Sequence, residues 1–261
     1  MNLTKHQKAI SRNGYTIIQS FLSKSEVKKL LKLVELNFKR DSRKKNPTFK
    51  YIKNQDKGVF NLQYKDYSFI KLISQKRVEN IAKYFLNDPY YQLLEPSKPN
   101  YILKYYNARS SVNKLNLHID TYMPFGGKRT YMMQFIFLLN DSTSQNGCSF
   151  VVEGSHKSGK FCDLKSKKTK NLEAKAGDLI IWDSRLWHGA RVNKSGEDRW
   201  ALVASFSQWF IKQSMDMPKG LPKKIYNKCT RKEKLLLGFC SIPPVDEKHG
   251  VNTKAGYNKL T

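Results

Sequence analysis

The chain has 261 residues and a mass of 30.4 kDa, with 48 Lys and Arg against 21 Asp and Glu, a net charge of +27 and a pI near 9.9. An aromatic content of 12% excludes disorder throughout, because disordered chains lack the bulky side chains a core needs. No run of 18 apolar residues exists, so a membrane-spanning helix is not expected.

The charge first suggests nucleic acid, but 38 of the bases are Lys, only 10 are Arg, and they are spread along the whole chain. Arg carries the planar fork suited to phosphate and base recognition, whereas Lys is often a solvated point charge. The charge therefore reads as a lysine-rich surface, and specific nucleic-acid binding is not expected. A diffuse cationic field still favours a small anionic substrate. The first residues lack the apolar stretch of a secretory leader, and Cys148, Cys162, Cys229 and Cys240 form no CxxC pair. A reduced, cytoplasmic setting is the expectation, with neither a zinc ribbon nor a disulfide scaffold.

In chain order, a short helix breaks at Gly14 and the β-rich stretch 15–18 follows. Ser23 and Glu26 have capping-box spacing ahead of Val27, Leu30, Leu31, Val34 and Phe38, which predicts an amphipathic helix. Residues 40–57 read as an exposed loop, and a second helix is predicted over 69–86, stopping before Pro89. From Asn100 the pattern changes to strands, predicted at 101–106, 115–119, 131–139, 148–152, 178–182, 188–192 and 200–210. These are short, aromatic or β-branched, and separated by Gly, Asn, Asp or Ser turns. A helix is predicted at 230–237. Many closely spaced strands favour a sandwich or barrel over a parallel α/β sheet. The expected organisation is one domain over 1–261, with a β core at about 99–210, a helical part over 1–98 and an extension over 211–261.

Five histidines occur, at 6, 118, 156, 188 and 249. His6 and His249 lie in polar stretches and read as solvated. His118 and Asp120 stand at i and i+2, which on a strand places both side chains on one face, within reach of one metal. A second His must then come from another strand. Two His and a carboxylate on one face of an ion leave three positions open, as in non-haem Fe(II) oxygenases. Alone, such a dyad more often marks a satisfied core or loop histidine. A second cluster runs from Ala176 to Ala190 as a turn, an apolar strand, a polar loop and His188 entering a further strand. Arg199 opens the next apolar strand, where it either binds a carboxylate bidentately or caps a strand edge.

With those residues in view the chain resembles the phytanoyl-CoA dioxygenase family of Fe(II)/2-oxoglutarate oxygenases. The likeness extends to Phe137-Leu138-Leu139-Asn140-Asp141-Ser142-Thr143, to Asn146-Gly147-Cys148-Ser149-Phe150 and to Gly154-Ser155-His156-Lys157. Residues 3–22 are also similar to small members, and less specifically so is the tail, with Leu237-Gly238-Phe239 followed by Pro243-Pro244. The resemblance implies a mainly β fold, a double-stranded β-helix (jelly-roll or cupin-like) core with flanking helices. It implies His118, Asp120 and His188 as iron ligands and catalytic centre, and Arg199 as the partner of the far carboxylate of 2-oxoglutarate. It further implies O2 as cosubstrate, with succinate and CO2 released as an unactivated C–H bond of a small molecule is hydroxylated. A carboxylate at Asp120 separates the chain from halogenating relatives, which carry a small residue there.

The sequence also departs from the family. Ile119 and Ala190 stand where members often place a polar cosubstrate contact, so Gln134, sharing a strand face with Ile136 and Leu138, becomes the candidate contact. Glu153 replaces the proline usual before Gly154. His156 and Cys148 read as structural. Two other readings are oxidative modification of nucleic acid, suggested by the charge, and a non-catalytic metal-binding β-sandwich, against which the triad and Arg199 both argue.

Overall fold

The structure, a computed structural model, describes residues 3–47, 55–91, 98–242 and 246–249. The Pro243-Pro244 pair of the tail lies outside them. In chain order the elements are α1 (Leu3–Asn13), β1 (Tyr15–Ile18), α2 (Lys24–Ser42), β2 (Lys57–Val59), α3 (Tyr67–Ile73), α4 (Lys76–Leu86), β3 (Ile102–Ser110), β4 (Leu115–His118), β5 (Met132–Leu138), β6 (Ser149–Val151), β7 (Lys170–Asn171), β8 (Leu179–Asp183), β9 (His188–Ala190), β10 (Ala201–Ser207), α5 (Met217–Gly220), α6 (Lys223–Tyr226) and α7 (Arg231–Leu236). One sheet has the order β1-β8-β5-β10-β3-β2 and a smaller one the order β4-β9-β6-β7. Every strand pair whose register is defined is antiparallel. This is the mainly β arrangement that the strand grammar predicts, and the jelly-roll with flanking helices that the family resemblance implies. Among the described residues no helix is long and apolar enough to cross a membrane.

The described residues form two compact units, one from 1–60 and 107–203, the other from 61–106 and 204–261. In the first, the larger sheet presents Tyr15, Ile136, Leu138, Ile180, Trp182 and Ala201 to Val151 of the smaller sheet, with Leu172 and Leu186 completing a buried core. The period-2 alternation of β5 and β8 produces this face, since Ile136 pairs with Ile180 and Gln134 with Trp182. On the other side, Phe21 packs against Phe137 at 5.7 Å and Phe38 of α2 meets Trp200 edge-on at 5.6 Å. Helix α2 starts where the sequence indicates. Ser23 accepts from the Glu26 N–H while the Glu26 carboxylate accepts from the Ser23 N–H, a complete capping box. It runs on to Ser42, so the loop expected from residue 40 begins later, and residues 48–54 of that loop lie outside the described ones.

The second unit shows the main departure from the periodicity. The helix predicted over 69–86 is two helices, α3 and α4, broken at Ser74 and Gln75. Gln75 is extended (ψ 144°), and the Ser74 hydroxyl donates to Glu233 Oε1 at 2.9 Å. Glu233 lies in α7 and belongs to that helix's own capping box with Thr230. The break is thus set by a partner 159 residues away, which no local period encodes. Phe69 meets Tyr106 edge-on in the same unit, and Tyr101 meets Phe206.

Candidate metal centre

Strands β4 and β9 run antiparallel with His118 directly opposite His188, and the two rings lie 4.1 Å apart. The pairing depends on Gly189. A Cβ there would strike the Leu115 carbonyl and the Phe150 ring, so only glycine lets β4 and β6 close on β9 from both sides. Strand β4 ends at His118, and Asp120 lies in the turn beyond it. The i, i+2 spacing therefore works through a turn and not along a strand face. The Asp120 N–H donates to the Ser184 carbonyl at 2.9 Å, and this bond points the carboxylate back at the histidines. Asp120 Oδ1 is 3.8 Å from His118 Nε2 and Oδ2 is 3.4 Å from His188 Nε2. One ligand atom from each of the three residues lies within 4.8 Å of the others.

Both imidazoles are locked by the same device. His118 Nδ1 lies 2.9 Å from the Asn116 carbonyl and His188 Nδ1 lies 2.9 Å from the Leu186 carbonyl. A carbonyl only accepts, so each Nδ1 carries the proton and each Nε2 turns its lone pair toward Asp120. Burial pushes His188 below the ordinary imidazole value. Asp120 opposes that shift, His118 adds to it, and the Leu186 carbonyl opposes it. A neutral imidazole is the form a metal needs. Trp182 Nε1 donates to Asp120 Oδ2 at 3.3 Å, and its ring lies 4.7 Å from His188, covering the centre from the core side. Two imidazole nitrogens and one carboxylate oxygen suit a divalent transition metal such as Fe(II), and would leave it further positions for other ligands.

Arg199 is 8% exposed. Its backbone N–H donates to Ser110 Oγ at 2.9 Å, and its Nε donates to the Asn146 carbonyl at 3.1 Å. Among the described residues no carboxylate pairs with its guanidinium. Burial lowers its pKa from the usual value. A buried cation without an acid is costly, and an anionic ligand would compensate it. Gln134 is fully buried on the core-facing side of β5, with its Nε2 3.4 Å from Ser184 Oγ. Its neighbour Ser184 is the residue whose carbonyl holds Asp120. His156 is buried, its Nε2 3.4 Å from the Ser11 carbonyl, and Cys148 is fully buried, both outside the triad. His6, expected in solvent, is half-buried with Nδ1 2.9 Å from Thr16 Oγ1, because α1 lies along β1.

Sequence reading overlooked Trp182, Asp183 and Arg185. The last two form a bidentate pair, with Arg185 Nε 2.9 Å from Asp183 Oδ1 and Nη2 2.7 Å from Oδ2. Their i, i+2 spacing beside His188 was the available signal.

Residues 10–201 match the profile of the family described as phytanoyl-CoA dioxygenase (PhyH). Dioxygenase af480 of Aspergillus fumigatus is 27% identical over 253 residues, 93% of this chain and 79% of that protein. An uncharacterized Mycobacterium tuberculosis protein, Rv1501, is 30% identical over 131 residues, 49% of this chain and 48% of its own length, so the match spans about half of that relative. The crystal structure of HygX from Streptomyces hygroscopicus with nickel and 2-oxoglutarate bound superposes with a TM-score of 0.64 at 14% identity, over 80% of this chain and 88% of HygX. HygX was also crystallised with hygromycin B. At this identity the likeness establishes the shared fold.

Proposed function

This chain belongs to the phytanoyl-CoA dioxygenase family, and on that premise we propose that it is an Fe(II)- and 2-oxoglutarate-dependent dioxygenase that hydroxylates a small molecule. The balanced reaction converts 2-oxoglutarate, O2 and R–H into succinate, CO2 and R–OH. The observation that carries this reading is the convergence of His118 Nε2, His188 Nε2 and the Asp120 carboxylate, with both Nδ1 atoms tied to backbone carbonyls. The name of af480 and the 2-oxoglutarate bound to HygX agree with it.

Bound at this centre, iron supplies the activation of O2 that a C–H bond requires. The chain's own residues do the rest. His118, Asp120 and His188 would hold the metal, and Asp120 would add the negative charge that balances part of the cation. Arg199 receives the far carboxylate of 2-oxoglutarate through the Nη groups that Asn146 leaves uncommitted, and so orients the cosubstrate. Gln134, buried on the core-facing side of β5 next to Ser184, offers an amide as a further cosubstrate contact. Trp182 shields the Asp120 carboxylate from water, which strengthens each polar contact around it. A cationic surface favours an anionic substrate, and HygX with its hygromycin B supports a small molecule over a polymer.

The test is succinate formation under Fe(II), 2-oxoglutarate and O2, screened over candidate small molecules for compounds that stimulate it. Stimulated turnover absent from His188→Ala is the expected result. Turnover that persists in His188→Ala would overturn the metal assignment.

A further inference from the structure

The buried Asp183–Arg185 pair is not used by any step above, yet it is joined by several hydrogen bonds. Both side chains are almost fully buried, at 2% and 5% exposure. Asp183 Oδ2 also accepts from Thr130 Oγ1 at 2.9 Å, and Oδ1 accepts from the Arg185 N–H at 2.9 Å. Arg185 Nη1 donates to the Gly127 carbonyl at 2.9 Å, and its guanidinium lies 4.9 Å from the centre of the Phe125 ring. Phe125 in turn stacks edge-on with Tyr131 at 4.7 Å. The fork therefore grips residues 125–130 at three points, Phe125, Gly127 and Thr130, in the segment that leaves Asp120. Gly127 sits at φ 101°, a conformation that glycine adopts freely, and this turns its carbonyl toward Arg185.

The same segment opens on a strained residue. Tyr122, two positions after Asp120, has φ 60° and is 77% exposed. A left-handed tyrosine persists only where its surroundings over-determine it, and such strain collects at functional sites. The surroundings here are bonds at both ends. Ser184 holds the Asp120 N–H on one side, and the Asp183–Arg185 fork holds Phe125, Gly127 and Thr130 on the other. Ser184 sits between the two members of the fork. The run 182–188 thus supplies Trp182 to the Asp120 carboxylate, Ser184 to its backbone, the fork to the segment beyond and Leu186 to the His188 ring.

We propose that Arg185, acting through its fork with Asp183, is a positioning residue that clamps segment 121–130 and thereby fixes the Asp120 carboxylate at the metal centre. The proposal rests on the metal-centre reading above. It touches neither metal nor cosubstrate, and a group that orients a ligand changes metal affinity by about 10–100-fold when removed.

The segment carries its own reporter, since Lys128 and Arg129 are exposed and trypsin cleaves after each. In the wild type, cleavage there should be slow relative to other Lys and Arg sites. Arg185→Met should speed it by about tenfold or more, because proteolysis follows the population of the opened segment. Co(II), titrated as the metal alone, should bind about tenfold or more weakly to the same variant. Arg185→Lys keeps the charge on Asp183 but lacks the fork and the reach to Gly127 at once, so it should fall between the two and serves if Arg185→Met does not fold. Wild-type cleavage at 128–129 together with wild-type Co(II) affinity in a folded Arg185→Lys would overturn the proposal and leave the pair as a core filler. Failure of the wild type itself to bind Co(II) in a His188-dependent way would instead sink the metal reading, and the cleavage result would still decide whether the fork is a clamp.

Discussion

Arg199→Ala tests the cosubstrate assignment most directly. The guanidinium is 8% exposed, its Nε is committed to the Asn146 carbonyl, and no carboxylate of the described residues compensates its charge. A ligand carboxylate that enters there gains a charge-assisted, desolvated pair, and removing one partner of such a pair costs about 2–5 kcal/mol. At about 1.4 kcal/mol per tenfold, the KM for 2-oxoglutarate should rise from about 30-fold to a few thousand-fold. Arg199→Lys retains the charge without the fork and should rise less. Because Arg199 is not a ligand, the affinity for Fe(II) should stay within about twofold in both variants. A binding assay independent of turnover reads the same quantity. 2-Oxoglutarate at 100 times its Kd should stabilise the wild type by about 2.7 kcal/mol, seen as a rise in Tm, and at that concentration most of the rise should vanish in Arg199→Ala. An unchanged KM together with an unchanged rise in Tm would show that Arg199 only closes a strand edge.

Three further outcomes are expected. His118→Ala and His188→Ala should each abolish Fe(II) binding, measured by titration, while circular dichroism stays near that of the wild type, because two remaining donors do not replace a third. Gly189→Ala should lower stability by about 1–3 kcal/mol in urea unfolding, since the added methyl meets the Leu115 carbonyl and the Phe150 ring; an unchanged midpoint would mean that β4 and β6 have room to part. The third concerns acid stability. Burial alone would raise the Glu79 pKa, but hydrogen bonds and charge from Lys232 and Lys76 outweigh it and hold the carboxyl below its ordinary 4.5. A depressed carboxylate contributes stability above its unfolded value, and the contribution is lost as pH falls through the folded value. Unfolding midpoints should therefore drop below about pH 4.5 in the wild type, and this slope should flatten in Glu79→Gln; parallel pH curves would remove Glu79 from the account.

Much of this protein was decided locally and so was legible in its residues. The capping box at Ser23 and Glu26 starts α2 where the four-residue pattern says, because both bonds lie within one helical turn. The change from helical to alternating apolar spacing after Asn100 gives the mainly β class, since period 2 or 3.6 follows from backbone geometry alone. Spacing and likeness to a family point to His118, Asp120, His188 and Arg199, and the first three do converge. What the residue order left open depends on neighbours far along the chain. The pairing of His118 with His188 needs the β4–β9 register and a glycine that admits Phe150. Asp120 reaches the centre through a turn held by Ser184, not along the strand that i, i+2 spacing suggests. The break between α3 and α4 answers to Glu233, and the fork of Asp183 and Arg185 acquires its meaning only from Gly127 and Thr130. Spacing encodes contacts within a turn or a strand, whereas burial and charge balance are sums over segments that meet only once the sheets have closed, and that sum decides which histidines converge on a carboxylate and which, like His156, are packed elsewhere.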